Sequence, residues 1–235
     1  MSRRSCRGLF VVGTGTDVGK TYVSALICRT LAEAGMAAAY YKAAASGNPR
    51  DGEGRLVPMD ARFVRNAAGL SQPLETMCPY VFEAAVSPHL AARLERQAVE
   101  ADVVRGGCRT LSEAYDYVAV EGSGGIVCPL RAGGGELWLE DVVRMFGIPS
   151  VIVADAGLGA INSVALTASY MERVGLPVRG VIFNRFHPGS VMEEDNVRMV
   201  ERRTGLDVLA CVREGGGELG MDAAALAALY GEMRA

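Results

Sequence analysis

The sequence predicts an α/β fold, a single doubly wound and mainly parallel sheet flanked by helices. Three observations predict it. Apolar runs alternate with helical patterns along all 235 residues. Several runs are continuous and β-branched rather than alternating, as strands covered on both faces require. Glycines recur just past the helical patterns, at Gly35, Gly147, Gly175 and Gly205, where a left-handed residue ends a helix.

The strand candidates are residues 8–12, 37–42, 117–121, 150–154, 178–184 and 208–212. Between them lie helix candidates at 20–34, 59–68, 88–93, 99–114, 137–146, 160–174, 192–204 and 222–233. Ser87-Pro88 reads as an N-cap followed by a proline at the first helical position. The alanines at 223–228 read as helix propensity rather than low complexity. Glycine runs at 133–135 and 215–217 read as loop insertions, and the Pro/Gly-rich stretch 47–58 as a mobile loop. No repeat or linker divides the chain, so residues 1–235 read as one domain.

Half the residues are apolar and 22% are charged, enough for a large core. A net charge of −3 gives no reason to expect nucleic acid or an acidic membrane surface as partner, so any anionic ligand needs a local site. No apolar run approaches the ~20 residues of a membrane helix. The basic N-terminus, Met1 to Arg7, lacks the hydrophobic region of a signal peptide. Six scattered cysteines with no C-x-x-C pair read as small buried hydrophobes in a reducing compartment, the cytoplasm by default.

The strand at 8–12 runs into Gly13-Thr14-Gly15-Thr16-Asp17-Val18-Gly19-Lys20-Thr21 and then a helix. Strand, glycine-rich turn and helix make a phosphate cradle. Backbone N–H groups and the helix N-terminus face the anion, Lys20 reaches the β- and γ-phosphates, and the Thr21 hydroxyl ligates Mg²⁺. The run has one residue too many for a dinucleotide fingerprint, and Lys42 stands where an acidic residue would end the second strand. Only Lys20 and Lys42 are lysines among 24 basic residues. Arginine serves everywhere else, so these two positions call for a compact ammonium rather than a planar fork.

Other candidates also sit at strand carboxyl ends, the side on which such folds bind ligands. Ser46 follows Lys42. Glu121 ends the third strand and leads into Gly122-Ser123-Gly124-Gly125; a carboxylate there, beside a phosphate loop, suits Mg²⁺. Asp60 opens a helix, where it could serve the site or be an ordinary N-cap. Asn184 ends another strand, where it could read a purine edge or cap a loop.

The spacing G-T-x-T-x-V-G-K-T resembles the dethiobiotin synthetases, ATP-dependent enzymes of biotin synthesis with the P-loop NTPase fold. The likeness recurs in order from about Leu9 to Asn196. Tyr41-Lys42-Ala43-Ala44-Ala45-Ser46-Gly47 is similar to the family's Y-K-P-x-x-S-G, and Asp60-Ala61 to its D-A. Pro79-Tyr80 and Ser87-Pro88-His89 match its P-Y and S-P-H. Val120-Glu121-Gly122-Ser123-Gly124-Gly125 resembles V-E-G-A-G-G, and Gly157-Leu158-Gly159-Ala160-Ile161-Asn162 resembles G-x-L-G-x-I-N. Ala43 replaces a proline, Ser163 a histidine, and Cys211-Val212-Arg213 with Gly215–Gly217 a G-x-x-P segment.

The resemblance implies ring closure of 7,8-diaminopelargonate with CO₂ and ATP. Thr16, Lys20 and Thr21 would hold the phosphates, with Mg²⁺ shared by Thr21, Asp60 and Glu121. Lys42 and Ser46, with Lys20, would hold the substrate carbamate, and the Gly124 backbone would touch the substrate. Asn184 would read the purine. Leu158 and Asn162 would bind the carboxylate tail of the substrate in the partner subunit, making a homodimer the working unit. His89 is expected to make a hydrogen bond at a helix start.

Two other readings share the fold. A cobyrinate-type amidating synthetase would need a glutaminase partner or domain, and no such domain fits in this length. An ATP-driven dimer switch of the partition or septum-positioning kind carries an extra lysine early in the loop, and no lysine precedes Lys20.

Overall fold

A computed structural model describes residues 6–234; the basic segment at 1–5 lies outside them. The chain runs β1 (Arg7–Gly13), α1 (Lys20–Glu33), β2 (Ala38–Lys42), β3 (Ala44–Ala45), α2 (Met59–Ala68), β4 (Tyr80–Val81), α3 (Pro88–Leu94), α4 (Ala101–Ala114) and β5 (Tyr117–Gly125). It continues through β6 (Pro129–Arg131), β7 (Leu137–Trp138), α5 (Leu139–Phe146), β8 (Ser150–Asp155), α6 (Ala160–Arg173), β9 (Val178–Phe186), α7 (Val191–Thr204), β10 (Val208–Arg213), α8 (Ala223–Ala228) and β11 (Gly231–Glu232).

The main sheet has the order β10-β9-β8-β1-β5-β2, all parallel, with β11 antiparallel to the start of β1. The central strands bury both faces. Phe10, Val12, Tyr41, Val118, Val120 and Ile152 pack on one side with α4, α5, α6 and α7. Leu9, Val11, Tyr40, Ala119, Val151 and Val153 pack on the other with α1, α2 and α8. This two-sided burial is why the strands read as unbroken apolar runs. The connection from β1 passes outward to β2, whereas that from β5 passes back across β1 to β8. The two therefore leave in opposite directions, which opens a crevice at their carboxyl ends.

Gly35, Gly147, Gly175 and Gly205 all have positive φ, as expected of helix-ending residues. Three expectations change. The helix expected at 137–146 begins at Leu139, because Leu137–Trp138 pair with Pro129–Arg131 as a hairpin. The helix expected at 222–233 stops at Ala228, because Gly231–Glu232 pair with Arg7–Gly8. The stretch 47–58 is a fastened hairpin, with an Arg50–Leu56 bridge, Val57 N–H donating to Pro49 and Arg50 bonded to Glu83.

The outermost strand β2 is closed along its free edge by side-chain and loop groups. The Gln72 carboxamide accepts from Tyr40 N–H at 2.8 Å and donates to Tyr40 C=O at 2.9 Å, and Lys42 N–H donates to Met77 C=O.

Candidate active site

The crevice at the ends of β1, β2 and β5 is a cleft of about 1080 Å³. Lys20, Lys42, Thr16, Thr21, Ser46, Asp60, Glu121 and Gly124 all line it. The two lysines therefore face one space, from the loop after β1 and from the end of β2.

The loop geometry follows from its glycines. Gly19 has φ 91° and precedes α1, and a Cβ there would lie 1.9 Å from Asn184 Nδ2, so only glycine fits. A Cβ on Gly13 would lie 2.8 Å from Lys20 Nζ. Lys20 Nζ donates to Gly15 C=O at 2.7 Å, which curls the side chain over its own loop. Burial holds its ammonium below the usual lysine value, which the Glu121 charge opposes. The Asn184 carboxamide donates to Val18 C=O, so the residue expected to read a base also ties β9 to the loop.

Period-two alternation places the charged groups. Tyr40 and Lys42 share the face of β2 that meets α1 and α2, and Glu121 stands opposite Lys42 in register on β5. Glu121 is 1% exposed and is bonded to three groups. Thr21 Oγ1 donates to its Oε1 at 2.8 Å, Lys42 Nζ meets the same oxygen at 2.7 Å, and Tyr40 OH donates to Oε2 at 2.9 Å. Lys42 Nζ also lies 2.6 Å from Asp60 Oδ2. Burial alone would push the Lys42 ammonium down; the Glu121 and Asp60 carboxylates overcome it and raise it well above the usual lysine value.

Asp60 is not the N-cap of α2. That position is Pro58, and Asp60 lies in the first turn with its carboxylate on Lys42. Its aim depends on Asn48, a buried side chain that accepts from Met59 N–H and donates to Phe82 C=O.

Asp60 and Glu121 thus converge on the Lys42 ammonium, and Thr21 joins them through Glu121. All their donors are oxygens, which fits a hard divalent cation such as Mg²⁺, and a positive charge already sits among them. No group of three or more His, Cys, Asp and Glu gathers among the described residues. The oxygens gathered there belong to two carboxylates and a hydroxyl.

Leu158 and Asn162 are not brought to the cleft. Leu158 is 95% exposed and Asn162 is also exposed, at the start of α6. The loop carrying Leu158 is held by Asn196, whose Nδ2 donates to Ala156 and Gly157 carbonyls. His89 does not make the helix-start hydrogen bond expected of it; its Nδ1 is buried without a partner. All six cysteines are free, and five are buried; Cys211 is half-buried. No described helix is long and apolar enough to cross a membrane.

Sequence reasoning missed four supporting residues. Tyr40 and Asn48 orient the two carboxylates. Tyr22 OH donates to Gly216 C=O and fastens the glycine loop after β10 to α1. Arg185 bridges Asp155 and the Asp17 carbonyl, and both Asp17 and Arg185 have positive φ. A hydroxyl two residues before Lys42, on the same strand face, was the available signal for Tyr40.

A family model described as an AAA domain matches residues 7–215. An ATP-dependent dethiobiotin synthetase of Clostridium novyi is 41% identical over 206 residues, covering 87% of this chain and 86% of the relative. That of Brachyspira hyodysenteriae is 41% identical over 210 residues, covering 89% and 93%. Among solved structures, a ParA family ATPase from Chlorobium tepidum superposes with TM-score 0.55 at 11% identity, covering 90% of this chain and 85% of that one. The septum site-determining protein MinD with Mg-ADP from Pyrococcus horikoshii gives 0.52 at 16%, covering 94% and 88%. At such identities these two share the fold and no more, a P-loop sheet with its helices. The sequence likeness is of a different order, running almost from end to end. By that likeness the chain belongs to the ATP-dependent dethiobiotin synthetase family.

Proposed function

We infer that this chain closes the ring of dethiobiotin in biotin biosynthesis, from 7,8-diaminopelargonate, CO₂ and ATP, releasing ADP and phosphate. One substrate amine adds to CO₂ and loses a proton, giving a carbamate. A carbamate oxygen takes the γ-phosphoryl group of ATP. The second amine then attacks the carbamoyl carbon and expels phosphate. No protein nucleophile is needed; positioning and charge neutralisation suffice.

The observation that carries this reading is the single cleft shared by Lys20 and Lys42 with Thr21, Asp60 and Glu121. The loop of Gly13, Thr14, Gly15, Thr16, Asp17, Val18 and Gly19 wraps the phosphates, Lys20 neutralises the group in transit and the Thr16 hydroxyl donates a hydrogen bond to it. Lys42 and Ser46 hold the carbamate, and the Gly124 backbone lies along the substrate. Thr21, Asp60 and Glu121 would hold Mg²⁺, which supplies charge neutralisation at the phosphoryl oxygens when bound. Asn184 reads the purine.

Leu158 and Asn162 face outward from the cleft, which suits a role toward the substrate of a second subunit. The working unit is then a homodimer of one-domain chains. Free and mostly buried thiols suit the cytoplasm. The dimer-switch alternative lacks its signature, since no lysine precedes Lys20.

ADP release measured with and without 7,8-diaminopelargonate plus bicarbonate tests the reading. Release should require both; release indifferent to them would favour a nucleotide switch.

A further inference from the structure

Two roles assigned above fall on the same oxygens. Lys42 Nζ lies 2.6 Å from Asp60 Oδ2 and 2.7 Å from Glu121 Oε1, and Thr21 Oγ1 donates to that same Glu121 oxygen. The three groups that suit a divalent cation therefore already hold an ammonium. A dication and an ammonium on one buried carboxylate oxygen would repel each other strongly. Lys42 cannot stay where it is once such an ion takes the carboxylates.

We propose that Lys42 has two stations: the Asp60–Glu121 pair in the metal-free protein, and the substrate carbamate once a divalent cation holds those carboxylates. The proposal rests on the assignment of Thr21, Asp60 and Glu121 to the metal. In the first station Lys42 is the counter-ion that keeps a nearly fully buried Glu121 compensated, a carboxylate that would otherwise be costly to fold. In the second it faces the space lined by Ala45 and Ser46, within the same cleft.

The surroundings confine the change to one side chain. The backbone of β2 at residues 40 and 42 is fixed by Gln72 and Met77. Tyr40 OH holds the far oxygen of Glu121, so that carboxylate stays aimed when the lysine leaves. Asn48 anchors the first turn of α2 and with it Asp60. A flexible four-carbon stem bearing a compact charge can make such a move, and a planar guanidinium forked across both carboxylates could not. Every other basic side chain here is arginine except Lys20. The order of binding follows: carbamate finds its lysine only after metal has entered.

Having just two lysines makes the test direct. The wild-type protein is pulsed with N-hydroxysuccinimidyl acetate in chelator, with ADP, and with ADP plus Mg²⁺, and each lysine is quantified by peptide mass spectrometry. Lys42 labelling should rise about tenfold when Mg²⁺ is added to the ADP complex, as the ammonium leaves its carboxylates. Labelling that does not respond to Mg²⁺ overturns the proposal. In a parallel Mn²⁺ titration by electron paramagnetic resonance without nucleotide, Lys42→Met should bind roughly tenfold tighter than wild type, its competitor having been removed. Equal or weaker binding also overturns it. Glu121→Gln separates the two readings. If Mn²⁺ binding in the presence of ADP ignores that change, the metal assignment is wrong. If binding falls but Lys42 labelling still ignores metal, only the exchange is wrong.

Discussion

Lys42 and Glu121 are register partners on adjacent parallel strands, and the ammonium of one meets a carboxylate oxygen of the other at 2.7 Å. Neither residue is within 70 positions of the other in the chain, yet the ladder between β2 and β5 delivers them to one point. The helices on that face add Thr21 from α1 and Asp60 from α2. A charged knot of one ammonium, two carboxylates and a hydroxyl thus forms at the mouth of the parallel sheet.

Replacing Lys42 by glutamine should leave ATP binding largely intact while lowering turnover on the order of 10²–10³, the loss typical of one preorganised donor. Nucleotide titration beside steady-state ADP release checks both halves. Near-wild-type turnover with the diamine would contradict the assigned role.

Lys20→Gln should weaken triphosphate binding more than adenosine binding, since only the former meets the ammonium. Competition between the two ligands in equilibrium titration measures the difference. Equal losses for both would argue against the phosphate cradle.

Tyr40→Phe removes the hydroxyl that satisfies Glu121 Oε2. A lost hydrogen bond to a buried charged group should cost about 1.5–3 kcal/mol, read by denaturant unfolding in chelator. An unchanged midpoint would mean that the hydroxyl contributes nothing to holding the carboxylate.

His187 gives a pH dependence. Hydrogen bonds that its ring N–H groups donate to Glu193, then to Glu214, hold its imidazolium above the usual value of 6.5. A pKa raised by folding adds stability that is complete below the unfolded value and is lost as pH rises through the folded one. Wild type should therefore lose more thermal stability than His187→Asn between pH 6.5 and the alkaline side of neutrality. Parallel melting curves for the two proteins would refute the assignment.

Much of this was readable in advance. The six long strands, the glycine-rich turn and Glu121 declare themselves because a buried parallel sheet demands unbroken apolar runs and because phosphate loops demand glycine. The end of the chain does not. Its alanines favour helix beyond Ala228, and the stop comes from a tertiary contact, the pairing of Gly231 with Gly8. Asp60 resembled an ordinary helix cap because its true partner is fixed only by the β2–β5 register and by Asn48 reaching to Met59 N–H. Tyr40 looked like one more strand aromatic; its hydroxyl acquires meaning only when Glu121 is placed beside it. His89 shows the reverse, a residue whose expected hydrogen bond the packing does not supply.

The Gln72 carboxamide has a consequence beyond holding Tyr40. An outermost strand ordinarily offers its amides and carbonyls to any extended peptide that drifts alongside. Here the rim beside Tyr40 and Lys42 is already taken, by a side chain that mimics a neighbouring peptide unit and by Met77. The chain thereby shields this border from stray pairing.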